Sequence, residues 1–262
     1  MTLDQLIALD RQSTVALPCF REERVGDWIL RFGGGMYGRA NSVQPFGDPG
    51  MPLPDAVELC ETSYFAAGLP SLFRLPHIGD WETLDQELLS RGYEINDDAL
   101  VQVGPLGDYG ADEVDLLEAP TAEWFAAFLI GSGRAIGREA AAERLLHLMP
   151  APRRFATLRT EGRIVSLGIG TICEGTLWLF GIATVPEFRG RGYGREVCHA
   201  LVGWAKAEGA DRGALQVGSK NEPALRLYRN MGFTTVYDYH YRRRVSPRTA
   251  GLQTGLTNGA AV

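Results

Sequence analysis

An α/β (α+β) fold, with a mixed and mostly antiparallel sheet flanked by helices, follows from three features of the sequence. Apolar runs at 154–158, 164–172 and 176–183 succeed one another, joined at Glu161-Gly162 and Glu174-Gly175, and read as antiparallel strands. The third run enters a glycine-rich loop, 184–194, and then a helical stretch, 195–208. Short apolar runs at 214–217 and 235–242 flank a second helical stretch that closes at Gly232.

The remaining elements fall into place around these. Residues 114–117 begin a strand, and Thr121, with Glu123 behind it, opens a helix over 122–130. A second helical stretch, 138–148, is closed by Pro150. Beyond Val245 the chain turns to Ser, Pro, Gly, Thr and Asn, which predicts a disordered tail over 246–262. The first hundred residues are less regular, but they contain an echo. A strand at 71–75, a helix at 82–90 ending in Arg91-Gly92-Tyr93, and a strand at 98–103 repeat the order seen at 214–242. The cluster of Gly, Pro and Asp at 106–111 marks the expected boundary. The chain is accordingly divided into 1–110, 111–245 and the tail.

Composition bounds the function. A length of 262 residues suits two small domains, and 45% hydrophobic content is ample for packed cores. No run of eighteen apolar residues offers a membrane span, and the first residues lack the basic-then-apolar order of a signal peptide. Cys19, Cys60, Cys173 and Cys198 are scattered without metal-ligand spacing, and read as reduced thiols of a cytoplasmic protein that binds no metal. A net charge of −6 argues against a nucleic-acid partner and suits an amine substrate.

Two segments carry chemistry. In Thr184-Val-Pro-Glu-Phe-Arg-Gly-Arg-Gly-Tyr-Gly194, a strand, a glycine loop and a helix start follow in order, so backbone N–H groups of the loop and first turn converge on one point. Gly190, Gly192 and Gly194, with Tyr193 between the last two, leave room for a pyrophosphate, while Arg189, Arg191 and Arg195 add positive charge. A tight turn that merely needs glycines also fits this loop. The dinucleotide fingerprint fails because its last glycine would fall on Arg195, and the P-loop fails because no Gly-Lys-Ser/Thr follows. The second segment is Asn221-Glu-Pro-Ala-Leu-Arg-Leu-Tyr-Arg-Asn-Met-Gly-Phe233, in which Asn221, Ala224, Leu225 and Tyr228 share one helical face. That face reads either as a binding surface or as a core helix capped by Asn221.

Together the segments resemble the GCN5-related N-acetyltransferase (GNAT) family, whose pattern is V-x-P-x-x-R-G-x-G-x-G and, some thirty residues on, N-x-x-A-x-x-L-Y-x-x-x-G-F. Pro186, Arg189, Gly190, Gly192 and Gly194 match, as do Asn221, Ala224, Leu227, Tyr228, Gly232 and Phe233; Thr184 stands where the family usually has Val. The resemblance covers roughly 112–244. It implies a GNAT fold opening in a V between the strands around Leu179 and Leu215, and, with the echo, two tandem GNAT-like halves of which the first is degenerate. Lacking Arg-x-x-Gly-x-Gly, that half should not bind coenzyme A.

The resemblance also implies acetyl transfer from acetyl-CoA to a primary amine of a small molecule such as an amino acid or aminosugar. Backbone groups at Ile182, Ala183 and Thr184 would bind pantetheine and the acetyl oxygen, where each donor aimed at a developing oxyanion contributes ~3–4 kcal/mol. Tyr228 would be the general acid, protonated at neutral pH with an ordinary pKa of ~10 against ~8.5 for a thiol. Asn221 would hold the pantetheine arm or orient Tyr228. Glu174 as a base competes with its reading as a turn acid, and His240 with that of a packed histidine. An acyl-CoA-binding regulator without catalysis, or an aminoacyl-tRNA-dependent transferase, are the alternatives. The stretch Gly33-Gly-Gly-Met-Tyr-Gly-Arg39-Ala-Asn-Ser42 reads as a glycine-rich turn into a half-buried strand, or as a loop that reaches a substrate.

Overall fold

The computed structural model describes residues 1–110, 113–133 and 137–246. The expected tail lies outside the described residues except for Ser246. The first half supplies α1 (Leu3–Ala16), β1 (Arg21–Val25), β2 (Trp28–Phe32), β3 (Val43–Gln44), α2 (Leu53–Ala66), β4 (Ser71–Pro76), α3 (Glu82–Ser90) and β5 (Glu94–Pro105). The second supplies β6 (Val114–Leu117), α4 (Ala122–Ser132), α5 (Glu139–His147), β7 (Arg153–Thr160), β8 (Arg163–Cys173), β9 (Thr176–Thr184), α6 (Tyr193–Ala207), β10 (Arg212–Gly218), α7 (Glu222–Asn230) and β11 (Thr234–Arg244).

Local sequence explains the boundaries. The Thr121 hydroxyl accepts from Trp124 N at 3.1 Å and starts α4. Thr2 and Gln5 close a capping box on α1. Both Glu-Gly pairs hold positive φ, 52° at Glu161 and 46° at Glu174, as two-residue hairpin turns require. The turn thus accounts for Glu174, whose carboxylate accepts from Gln12 Nε2 at 3.4 Å.

The eleven strands of the described residues form one sheet, in the order β1-β2-β3-β4-β11-β5-β10-β9-β8-β7-β6. Most neighbours are antiparallel; β3 runs parallel to β4, and β9 parallel to β10. The closing strand of each half crosses into the other. Both neighbours of β5, β10 and β11, come from the second half. Both neighbours of β11, β5 and β4, come from the first. Side chains alternate between faces, as the pleat demands. On β9, Trp178 enters a core with Leu9 of α1 and Phe128 of α4, whereas Leu177 and Leu179 enter another with Val197 and Leu201 of α6. A third core joins α2 and α3 to β2 and β4.

The predicted V is present. Pairing between β9 and β10 runs from Arg212↔Thr176 to Leu215↔Leu179 and stops, although both strands continue.

Candidate active site

From Phe180 to Thr184 the β10 side of β9 is an open backbone edge, because its neighbour has diverged. Opposite β8 the same stretch carries a bulge: pairing jumps from Leu167↔Ala183 to Ile169↔Phe180, so Gly181 and Ile182 face one residue. Gly181 holds φ 56°, the left-handed conformation that such a bulge needs. The free edge therefore presents backbone groups at Ile182, Ala183 and Thr184 to a cleft.

Facing that edge is the start of α6. Gly192, at φ 85°, is its N-cap and supplies no side-chain acceptor; its carbonyl takes the N–H groups of Arg195 and Glu196, which leaves those of Tyr193 and Gly194 for a ligand. A Cβ added at Gly194 would come within 3.6 Å of Thr184 Oγ1 and 3.9 Å of Leu227 Cδ2, occupying the cradle without a clash. The aligned peptide dipoles of this fifteen-residue helix make its N-terminus electropositive.

The third wall is α7, whose N-cap is Asn221. Its Oδ1 accepts from Ala224 N at 3.3 Å, while its Nδ2 is buried with no hydrogen-bond partner among the described residues. The side chain both caps the helix and keeps two N–H groups unused. Seven residues on, Tyr228 is 6% exposed, and burial, with a smaller contribution from Cys198, holds its phenol well above the usual range. No hydrogen bond engages its hydroxyl among the described residues.

These walls enclose a cleft of about 500 Å³. Ile182, Ala183, Thr184, Arg189, Gly190, Gly192, Tyr193, Gly194, Asn221 and Tyr228 all line it, so the structure brings together all but one of the residues expected to bind the coenzyme or act as general acid. The exception is Arg191, whose guanidinium lies over Phe188, 5.4 Å from the ring centroid. Arg189 lines the cleft, but its Nε donates to Thr184 O (3.1 Å) and its Nη2 to Gly131 O (3.0 Å). It ties the end of β9 to the end of α4.

Two further features lie outside the two motifs, and the first comes from the glycine-rich stretch that reads in the sequence either as a turn or as a loop that reaches a substrate. Tyr37, from the glycine-rich loop of the first half, lines the cleft. An inner pocket of about 30 Å³ adjoins it, lined by Arg39 and Gln216, and shares Tyr37, Gly181, Ile182 and Tyr228 with it. The loop holds its shape through Asn41, whose Oδ1 accepts from Gly33 N and Gly35 N at 2.8 and 2.6 Å and whose Nδ2 donates to Tyr37 O at 2.7 Å. His240, by contrast, is packed: Nε2 lies 3.0 Å from Asp85 and Nδ1 2.8 Å from His77, and burial lowers its pKa. Among the described residues no group of three His, Cys, Asp or Glu is placed to hold a metal, and no helix is long and apolar enough to cross a membrane.

The sequence and the fold both have counterparts among known proteins. The family profile described as "Probable histone acetyltransferase Rv0428c C-terminal" matches residues 4–245. The chain belongs to this family, and with it to the GNAT acetyltransferases. The N-acetyltransferase YobR of Bacillus subtilis (strain 168) is 28% identical over 247 residues, covering 92% of this chain and 99% of YobR. Among solved structures, a GCN5-related N-acetyltransferase from Kribbella flavida superposes with a TM-score of 0.67 at 18% identity, covering 95% of this chain and 98% of that one. A tandem GNAT protein from the clavulanic acid biosynthesis pathway superposes with a TM-score of 0.55 at 14% identity, covering 74% and 69%. Both likenesses are of fold, and the second supports the reading of two GNAT-like halves.

Proposed function

We propose that this GNAT acetyltransferase moves the acetyl group of acetyl-CoA to a primary amine of a small molecule. The observation that carries the proposal is the position of Tyr228, where the large cleft and the inner pocket meet. The cleft suits the coenzyme because its free groups are of the right kind. Backbone N–H groups around Gly192 and Gly194 match phosphate oxygens, the unpartnered Asn221 Nδ2 matches an amide carbonyl of pantetheine, and the open edge at Ile182–Thr184 matches the amides beyond it. Acetyl-CoA, when bound, supplies an acyl carbon activated by its thioester.

The remaining work belongs to this chain. An amine entering from the inner pocket forms a bond to the acyl carbon as the carbon–sulfur bond breaks. Backbone donors of the bulged edge stabilise charge on the carbonyl oxygen. The Tyr228 hydroxyl, kept protonated by burial, donates to the departing thiolate, the amine's surplus proton leaves to solvent, and solvent returns one proton to the phenolate before the next turnover. Burial of the thiolate in the same cleft raises its own proton affinity and narrows the gap to the phenol.

Residue 194 gives the cleanest test. Gly190 and Gly192 hold positive φ, so substitution there strains the fold as well as the site, whereas Gly194 is helical and its new Cβ meets only ordinary contacts. Gly194→Val is expected to leave the melting temperature nearly unchanged and to weaken CoA binding by at least ~10-fold. Calorimetric titration reads both proteins, and unchanged affinity in the folded variant would falsify the placement of the coenzyme.

A further inference from the structure

The inner pocket carries a charge pattern that the acetyl-transfer reading does not explain. Arg39 lines it with no ion pair among the described residues, and its Nη1 is buried without a hydrogen-bond partner. Its main chain is fixed, since Arg31 Nη1 donates to Arg39 O at 3.0 Å. The guanidinium lies 5.4 Å from the centroid of Phe180. Across the pocket Gln216 is just as constrained. Its Oε1 accepts from the Tyr239 hydroxyl at 2.9 Å, which leaves Nε2 with both hydrogens, and that nitrogen too is buried and unpartnered. Among the described residues no Asp or Glu lines the pocket. Arg74, behind Tyr239, has a counter-ion of its own in Asp10, at 2.6 Å.

Unpaired buried donors are costly, and an unpaired guanidinium more so. Two such groups on one pocket, one charged and one neutral, form an acceptor-seeking site for a planar anion. Arg presents parallel N–H groups that match a carboxylate. The volume is that of a carboxylate-sized group, a few times the ~10–15 Å³ that admits one water. The pocket opens to the cleft beside Gly181, Ile182 and Tyr228, where the amine must meet the acyl carbon.

We infer that the acceptor is an amine bearing a carboxylate close to its nitrogen, an amino acid, and that Arg39 and Gln216 hold its carboxylate. This inference rests on the acetyl-transfer reading of the cleft. It also disfavours a lysine-rich peptide, whose ammonium groups would meet the guanidinium.

The experiment follows thiol release from acetyl-CoA with the twenty amino acids, the amines left when their carboxyl groups are removed, and a histone-tail peptide. Amino-acid binding in the presence of CoA is titrated in parallel. At least one amino acid is expected to be acetylated, with its decarboxylated partner poorer in kcat/KM. In Arg39→Gln the KM for that amino acid should rise between ~10- and ~150-fold, the range for a hydrogen bond to a charged group. The KM for the decarboxylated amine should stay within about twofold. Arg39→Lys, which keeps the charge, should recover part of the loss and guards against misfolding, with CoA affinity as the check on structure.

Preference for the bare amine or the peptide, or an Arg39→Gln variant that discriminates as before, overturns the carboxylate pocket and leaves acetyl transfer standing. An amino acid that binds through Arg39 to a protein unable to bind CoA would sink the acetyl-transfer reading and leave the pocket. No amino acid bound or acetylated overturns the inference.

Discussion

The two halves repeat one order of elements, β2-β3-α2-β4-α3-β5 against β8-β9-α6-β10-α7-β11, and in each the last strand but one runs parallel to the strand before it. They differ where a coenzyme would sit. In the second half Gly192 and Gly194 open α6. In the first, Pro52 is the N-cap of α2 and Pro54 lies in its first turn, so two of the N–H groups that would face an anion do not exist. The loop ahead of α2 is folded down onto the β1–β2 turn, with Asp27 N donating to Asp48 O and Trp28 Nε1 to Gly47 O at 2.8 and 2.9 Å. When the two final helices are aligned on Gly92 and Gly232, Leu88 stands where Tyr228 does and Trp81 where Asn221 does. Leu88 is fully buried, and Trp81 caps nothing with its side chain. The same framework encloses a cleft in one half and a packed core in the other, and the change is confined to helix starts and one helical face.

The largest effect should come from separating what the exchange of strands joins. Residues 1–105 alone would carry a twelve-residue β5 with neither of its neighbours, both of which belong to the second half. This fragment is expected to show no cooperative thermal transition by circular dichroism, and a sharp one would mean that each half closes its own sheet. Next come the paired positions. Leu88→Ala should cost ~2–5 kcal/mol of stability in denaturant titrations and leave the coenzyme affinity alone. Tyr228→Phe should do the reverse, holding stability and CoA binding while turnover falls ~10²-fold. A Tyr228→Phe enzyme at the parent rate would remove the phenol from the chemistry and make the two positions equivalent packing sites. The smallest effect sharpens the contrast at the helix starts. Asn221→Asp keeps an N-cap acceptor but deletes the Nδ2 donor, so the melting temperature should hold while CoA binding weakens by ~10-fold. Calorimetry showing equal affinity would reduce Asn221 to a cap.

How much of this could be read in advance follows the range of each interaction. The loop 184–194 and the helix after Asn221 were legible because their function depends on local backbone: glycines at fixed offsets, a cap, and residues one and two turns apart. The strands after the boundary were legible from period-two patterning, with ends shifted by a few residues; β5, predicted over 98–103, runs from Glu94 to Pro105. The crossing of β5 and β11 was not legible, since alternation says which face a strand buries but not whose edge it joins. Arg189 reads as a positive charge beside the glycines, and only the fold shows its guanidinium turned to the carbonyls of Thr184 and Gly131. Arg39 lies 177 positions from Gln216, and nothing in either neighbourhood announces that they share a pocket.

The loop fastened by Asn41 has a consequence for how this enzyme can change. Arg39 lines the inner pocket and not the large cleft proposed for the coenzyme, so a substitution at this position need not touch coenzyme binding. With Asn41 holding the loop, the glycine loop, the bulge and Tyr228 can stay fixed while position 39 varies, and each variant would present a different lining to the same cleft. Under the proposed reading one half would hold the coenzyme while a loop of the other chooses the acceptor, and specificity could drift without a toll on the chemical step.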